Sequence, residues 1–286
     1  MSVPRPTGGR VAHAARRTGH GLDRAVDTVG RQVVFSIGAL ASTGRAARHY
    51  PRETLRVVSE IGLGTGILAM IGGSVAIMGF LTLFAGATVA VQGFTSLGNI
   101  GVEALTGFLS AYVNVRVVAP VTAGVGLAAT IGAGTTAQLG AMRISEEIDA
   151  LEVMAIRSVP YLVGTRILAG LIAVIPLYAL SVLAAFLSSR IATVVVLGQS
   201  PGVYDHYFST FLRPADVAWS FFQAVAMALV VMTVHSYYGF TASGGPSGVG
   251  VATGRAVRMS LIAVVTITLL ISLVLYGSAR QLHLAG

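Results

Sequence analysis

Apolar and polar positions along this chain alternate in blocks tens of residues long. From Ile61 to Val102 there are 42 residues without a charged side chain, about twice the ~20 helical residues that cross a ~30 Å hydrocarbon layer. The stretch predicts one long span plus a re-entrant or outer-surface segment, with the break near Gly93 to Gly101. A second apolar helix is predicted from about Leu105 to Leu139, and three more at about 162–189, 215–239 and 257–279. Upstream the period changes. Leu22, Val26, Val29, Val33, Ile37 and Leu40 recur at steps of three and four, while Asp23, Arg24, Asp27 and Arg31 fall off that face. This amphipathic helix, followed by Arg45, Arg48, Arg52 and Arg56, suits a membrane interface, and Pro51 breaks it. The expected fold class is therefore an all-α membrane protein with an N-terminal interfacial helix and five transmembrane helices. Residues 1–19 read as a disordered basic tail, 20–60 as the interfacial region and 61–286 as the membrane domain.

Composition agrees and narrows the function. Apolar residues make up 54% of the chain and charged ones 10%, against roughly 25% in soluble domains, and the mean hydropathy is +0.79. All 19 basic residues are arginine. Without lysine there is no P-loop and no Schiff base. Without cysteine there is no thiolate nucleophile, disulfide or zinc–thiolate site. The first apolar run follows sixty arginine-rich residues, which does not read as a signal peptide. Any energy supply must come from another chain.

Charge sets the expected orientation. Ten arginines precede residue 57, and Arg143, Arg157, Arg166, Arg255 and Arg258 fall on the same side of a five-span layout. Arg116, Arg190, Arg213 and Arg280 fall on the other. The positive-inside rule then places the N-terminus in the cytoplasm and the C-terminus outside the inner membrane. The basic head reads as topology and attraction to anionic lipid, not as a nucleic-acid site.

Two segments carry candidate function. Arg143, Glu146, Glu147, Asp149, Leu151 and Glu152 lie in a charged stretch between the second and third spans, where Ile144, Ile148, Leu151 and Ala155 form one helical stripe. Such a helix, over 144–155, can dock an apolar face in a partner's groove and fix its register with charges. General acid–base chemistry fits poorly, because adjacent Glu146 and Glu147 point about 100° apart on a helix. The second segment is a small-residue stripe, Gly124, Ala128, Gly132, Thr136 and Gly140. It serves helix packing within the chain or a dimer interface. Arg116 belongs near the membrane surface, His235 reads as packing, and Asp205-His206 is slight support for a metal. No catalytic or metal site is expected. An ion-coupled secondary transporter is the alternative, but it needs mid-membrane ionisable residues that the spans lack. An intramembrane hydrolase would need a histidine near Ser74 or Ser181.

The segment from Arg116 through Ala169 resembles the core of the YrbE/MlaE permease family. The resemblance rests on Ala-Pro-Val at 119–121, Gly-Ala-Gly-Thr-Thr-Ala-Gln-Leu-Gly-Ala-Met-Arg at 132–143, Glu-Glu-Ile-Asp-Ala-Leu-Glu-Val-Met at 146–154, Pro160-Tyr-Leu and Arg166-Ile-Leu-Ala. It implies an MlaE-type permease domain over 61–286, with the 144–155 helix as a coupling helix on a cytoplasmic ABC ATPase dimer. ATP and magnesium would be bound by that partner, and no cofactor by this chain. It further implies a second YrbE-type permease, in a hetero- or homodimer, and Mce-domain proteins that deliver fatty acids, sterols or other hydrophobic lipids, as in actinobacterial import systems (a B-type subunit by preference). Thr130 stands where members usually carry arginine and Gln138 where they carry glutamate. Those departures suggest a specialised, heterodimeric member.

Overall fold

The computed structural model describes residues 30–63 and 67–276, and every regular element in them is helical. Helix α1 covers 30–49 and α2 covers Pro51–Leu63. Pro51 opens α2, where its missing N–H would be unpaired in any case. On α1, Val33, Ile37 and Leu40 are exposed, while Ala39, Ser42 and Ala46 are wholly buried and Phe35 packs on the core. One face thus meets the bundle and the other is exposed. The tail 1–19 and the stripe members Leu22, Val26 and Val29 lie outside the described residues.

Helix α3 (Ile67–Gly98) runs 32 residues without a break. The re-entrant segment expected before Val102 does not occur among the described residues. A helix of this length is about 48 Å long, more than a ~30 Å hydrocarbon core requires. The chain turns at Gly98–Val102, with Gly101 at φ +73° and the Val102 N–H donating to Leu97 O at 3.0 Å.

The second span is a rod, Glu103–Ile144, longer than the 105–139 expected. It joins α4 (Thr106–Val113), α5 (Ala119–Leu127) and α6 (Ala133–Ile144) through π-helical turns at Asn114–Val118 and Ala128–Gly132. A further π turn, Val159–Gly164, leads into α8 (Thr165–Ile191) after the short helix α7 (Glu147–Val153). Two of these wide turns adjoin or contain a proline, Pro120 and Pro160, which cannot donate to the helical ladder. Helix α9 (Pro201–Phe211) lies between the third and fourth spans. Helices α10 (Pro214–Phe240) and α11 (Gly245–Tyr276) complete the five spans. Helix α11 begins at Gly245 and not near 257, so Arg255 and Arg258 stand on a helix. The chain enters α11 through two positive-φ glycines, Gly244 and Gly245, at φ +90° and +70°.

The spans alternate in direction, which gives the bundle two distinct ends. One end carries α1, α2, α7 and the Thr241–Gly244 turn; the other carries the Gly98–Val102 turn and α9. The core between them joins Met78, Leu127, Ile167, Val174, Met227, Met232 and Val264 with Ala119, Ala123, Ala128, Ala224 and Ala228. Lipid tails are as apolar as leucine, so helices associate in a bilayer by close contact, which small residues permit.

Candidate functional site

Helix α7 is positioned by what surrounds it. The rod continues through Ile144, so the expected 144–155 helix is reduced to seven residues between two left-handed positions, Glu146 at φ 61° and Ala155 at φ 59°. Neither is glycine, and a non-glycine residue in that region costs about 1–3 kcal/mol and persists only where its surroundings hold it. Ile148 supplies the anchor: it is wholly buried against Leu139 and Leu162, with Met142, Leu151, Tyr161 and Phe240 around them.

The stripe expected to dock on a partner is therefore turned toward the chain's own bundle. Ile148 is buried, Ile144 and Leu151 are half-buried, and Ala155 lies beyond the helix end. A short helix on a membrane bundle has its own apolar face to cover first. The charges then latch it. Arg143 Nη1 donates to Asp149 at 2.6 Å, Ser145 Oγ to Glu147 at 2.9 Å, and Ser158 Oγ to Glu152 at 2.6 Å. The surface presented outward holds Glu146, Glu147 and Ala150 with two apolar side chains, Val153 at 88% and Met154 at 61% exposure. Sequence reasoning missed that pair, although two large apolar residues next to an acidic helix are a signal. Glu146 and Glu147 are open to water, with no enclosed pocket for acid–base chemistry.

The small-residue stripe meets α10 and α11 of the same chain. A β-carbon on Gly124 would touch Met227 and Val264, and one on Gly140 would meet Val249 and Ala242. Gly132 faces the ring of His235. Thr136 Oγ1 lies 2.7 Å from His235 Nδ1 and 3.0 Å from His235 O, and Ala128 is wholly buried. These five residues seat the rod against its own neighbours. The opposite face, with Ala129, Gly134, Ala137 and Gln138, is exposed.

A charged ladder lines α2, unread in the sequence. Arg56 donates to Glu53 at 2.6 Å and to Glu60 at 2.9 Å. The Arg56 hydrogen bond holds the Glu53 carboxyl below the usual carboxylate range, and the nearby charge of Arg166 adds to it. Arg166 is buried at the start of α8, its Nη1 donating to Leu162 O at 3.1 Å. Gln138 Nε2 reaches Glu60 at 3.5 Å. A glutamate there, as the family resemblance would have it, would set two carboxylates together. Thr130 is occupied locally, donating to Gly126 O.

At the other end Arg116 pairs with Asp216 at 3.1 Å and stacks 3.8 Å from the centre of the Tyr112 ring. Arg190 pairs with Asp205, which leaves that carboxylate neutralised by a guanidinium; among the described residues no group of metal ligands occurs.

Comparison with known proteins places this architecture. A probable ABC transporter permease protein of Rickettsia bellii is 25% identical over 249 residues, 87% of this chain and 92% of its own length. The intermembrane phospholipid transport system permease protein MlaE of Haemophilus influenzae is 23% identical over 256 residues, with the same coverage. The chloroplastic protein TRIGALACTOSYLDIACYLGLYCEROL 1 of Arabidopsis thaliana is 27% identical over 165 residues, 58% of this chain and 47% of its length. The family described as Permease MlaE matches residues 63–274, from the end of α2 through the fifth span, and this chain belongs to that family as a non-catalytic membrane permease.

Proposed function

We propose that this chain is the transmembrane subunit of an ATP-driven lipid transporter, coupled through α7 to a separate ABC ATPase. The observation that carries this reading is the build of α7. It is fastened to the bundle by Ile148 and by the Arg143–Asp149 pair, yet presents Glu146, Glu147, Val153 and Met154 outward. A rigidly held helix with an acidic and apolar outer face transmits a push; a solvated loop does not. A chain without lysine holds no P-loop, so hydrolysis falls to the partner. The relatives named for ABC permease function and for phospholipid transport support the same reading. The test is recovery of the ATPase with the purified permease: Val153→Asp with Met154→Asp should abolish it, and full recovery would sink the proposal.

The α7 end is then cytoplasmic, as the arginines of α1 and α2 favour. The Mce-type import reading extends this: a second YrbE-type permease completes the dimer, and Mce-domain proteins hand lipid to the α9 end. Thr130 and Gln138, two neutral residues at positions where the resemblance leads one to expect charges, support a heterodimer. An ion-coupled mechanism has less to stand on. Arg116 is paired at one end of its span, and His235 is engaged with Thr136.

A further inference from the structure

Between α1 and the start of the third span lies a cleft of about 280 Å³, lined by Phe35, Gly38, Ser42, Arg45, Arg157, Val159 and Pro160. It shares Arg157, Val159 and Pro160 with a second hollow beneath the α7 return. The cleft is mostly apolar, and two arginines, Arg45 and Arg157, are among the residues that line it. Among the described residues neither Arg45 nor Arg157 has a carboxylate within 4 Å, in contrast to Arg56, Arg116, Arg143 and Arg190, which all do. The nearest acidic lining residue of the adjoining hollow, Glu152, accepts from Ser158 at 2.6 Å. Gly38 leaves the mouth open: a β-carbon built there meets nothing within 4 Å. Beside it on α1, Val34 at 71% and Ile37 at 63% exposure continue the apolar surface along the helix.

We infer that this cleft holds the headgroup of an anionic phospholipid, as a resident lipid that seats α1 on the bundle. The site combines the two features such a ligand needs. Two cations with no carboxylate partner meet a phosphate diester at the depth of the interface, and the apolar flank of α1 receives the acyl chains. Basic pockets between membrane helices recognise acidic headgroups in this way. The cleft is near the lower end of small-ligand pockets, about 300–1,000 Å³, room for a headgroup and not for a whole two-tailed lipid. The site differs from the α7 surface in residues and in ligand, so the two readings fail separately.

The experiment is native mass spectrometry of the purified permease complex after exchange into phosphatidylglycerol or, separately, phosphatidylcholine. The wild type should retain phosphatidylglycerol in preference to phosphatidylcholine. Each interfacial arginine contributes about fivefold in affinity for anionic lipid, so Arg45→Gln with Arg157→Gln should lower that retention about 25-fold. Gly38→Leu, which fills an empty mouth, should lower it without touching charge, and Arg258→Gln on α11 should leave it unchanged. All variants should keep the ATPase. Equal retention by wild type, the double variant and Gly38→Leu would overturn the inference. So would equal retention of the two lipids, or displacement of phosphatidylglycerol by millimolar inorganic phosphate, which would mark a free-phosphate site.

Discussion

Gly132 lies directly under the imidazole of His235: a β-carbon added to the glycine would stand 2.5 Å from the ring Cδ2 and 2.7 Å from Nε2. One residue-turn further along, Thr136 holds the same ring through Nδ1. The rod and α10 are thus fixed at a single separation by a glycine, a threonine and a histidine.

Gly132→Leu should consequently destabilise the bundle, since overpacking commonly costs about 1–3 kcal/mol. Gly134, two positions along and with nothing within 4 Å, provides the control. Gly134→Ala should be neutral or stabilising by up to about 1 kcal/mol, because alanine is the better helix former. Thermal unfolding in detergent distinguishes them, and a Gly132→Leu variant as stable as wild type would show that the helices separate freely.

Helix α7 should respond differently on its two faces. Ile148→Ala removes the buried anchor, at about 2–5 kcal/mol for a large-to-small core change. It should loosen α7 and the ATPase together while the spans stay inserted. Reversing Glu146 and Glu147 to arginine changes the charge of the outer face, with the loss of one local hydrogen bond from Ser145, and should abolish ATPase recovery, with Glu147→Gln weakening it modestly. Hydrogen exchange over 147–153 reads the first effect, co-purification the second.

The Arg116–Asp216 pair is mostly shielded, with side chains 13% and 16% exposed. Asp216→Asn should lower stability by about 1.5–3 kcal/mol, the range for hydrogen bonds to charged groups. Arg116→Gln made in the same background should then cost less than it does in the wild type, a coupling that a double-mutant cycle measures.

Acid sensitivity should trace in part to α2. Glu53 has a folded-state pKa below its unfolded value because Arg56 stabilises the carboxylate. Its contribution is therefore complete above the unfolded pKa and is lost as pH falls through the folded one. The difference in melting temperature between wild type and Glu53→Gln should shrink on acidification below the ordinary carboxylate range. A gap that persists undiminished would remove the pair from the explanation.

Topology reporters check the orientation. One inserted in the Thr241–Gly244 turn should lie in the cytoplasm and one fused after Gly286 outside. Finding both on one side would contradict an odd number of crossings and displace α7 from the ATPase.

Hydrophobic run length determined that the chain has five helices long and apolar enough to cross a membrane, because a bilayer imposes both apolarity and length on any span, and the three-and-four period determined that an amphipathic helix precedes them. The missing lysine likewise settled that no P-loop is present. Three matters waited on tertiary structure. The inward turn of Ile148 depends on Leu139 and Leu162, which period cannot identify as neighbours. The placing of Gly132 and Thr136 against His235, about a hundred residues away in sequence, depends on how α6 and α10 cross. The start of α11 at Gly245 depends on packing that overrides glycine's preference for turns. Periodicity says which face of a helix is apolar, and only the assembled bundle decides what that face meets.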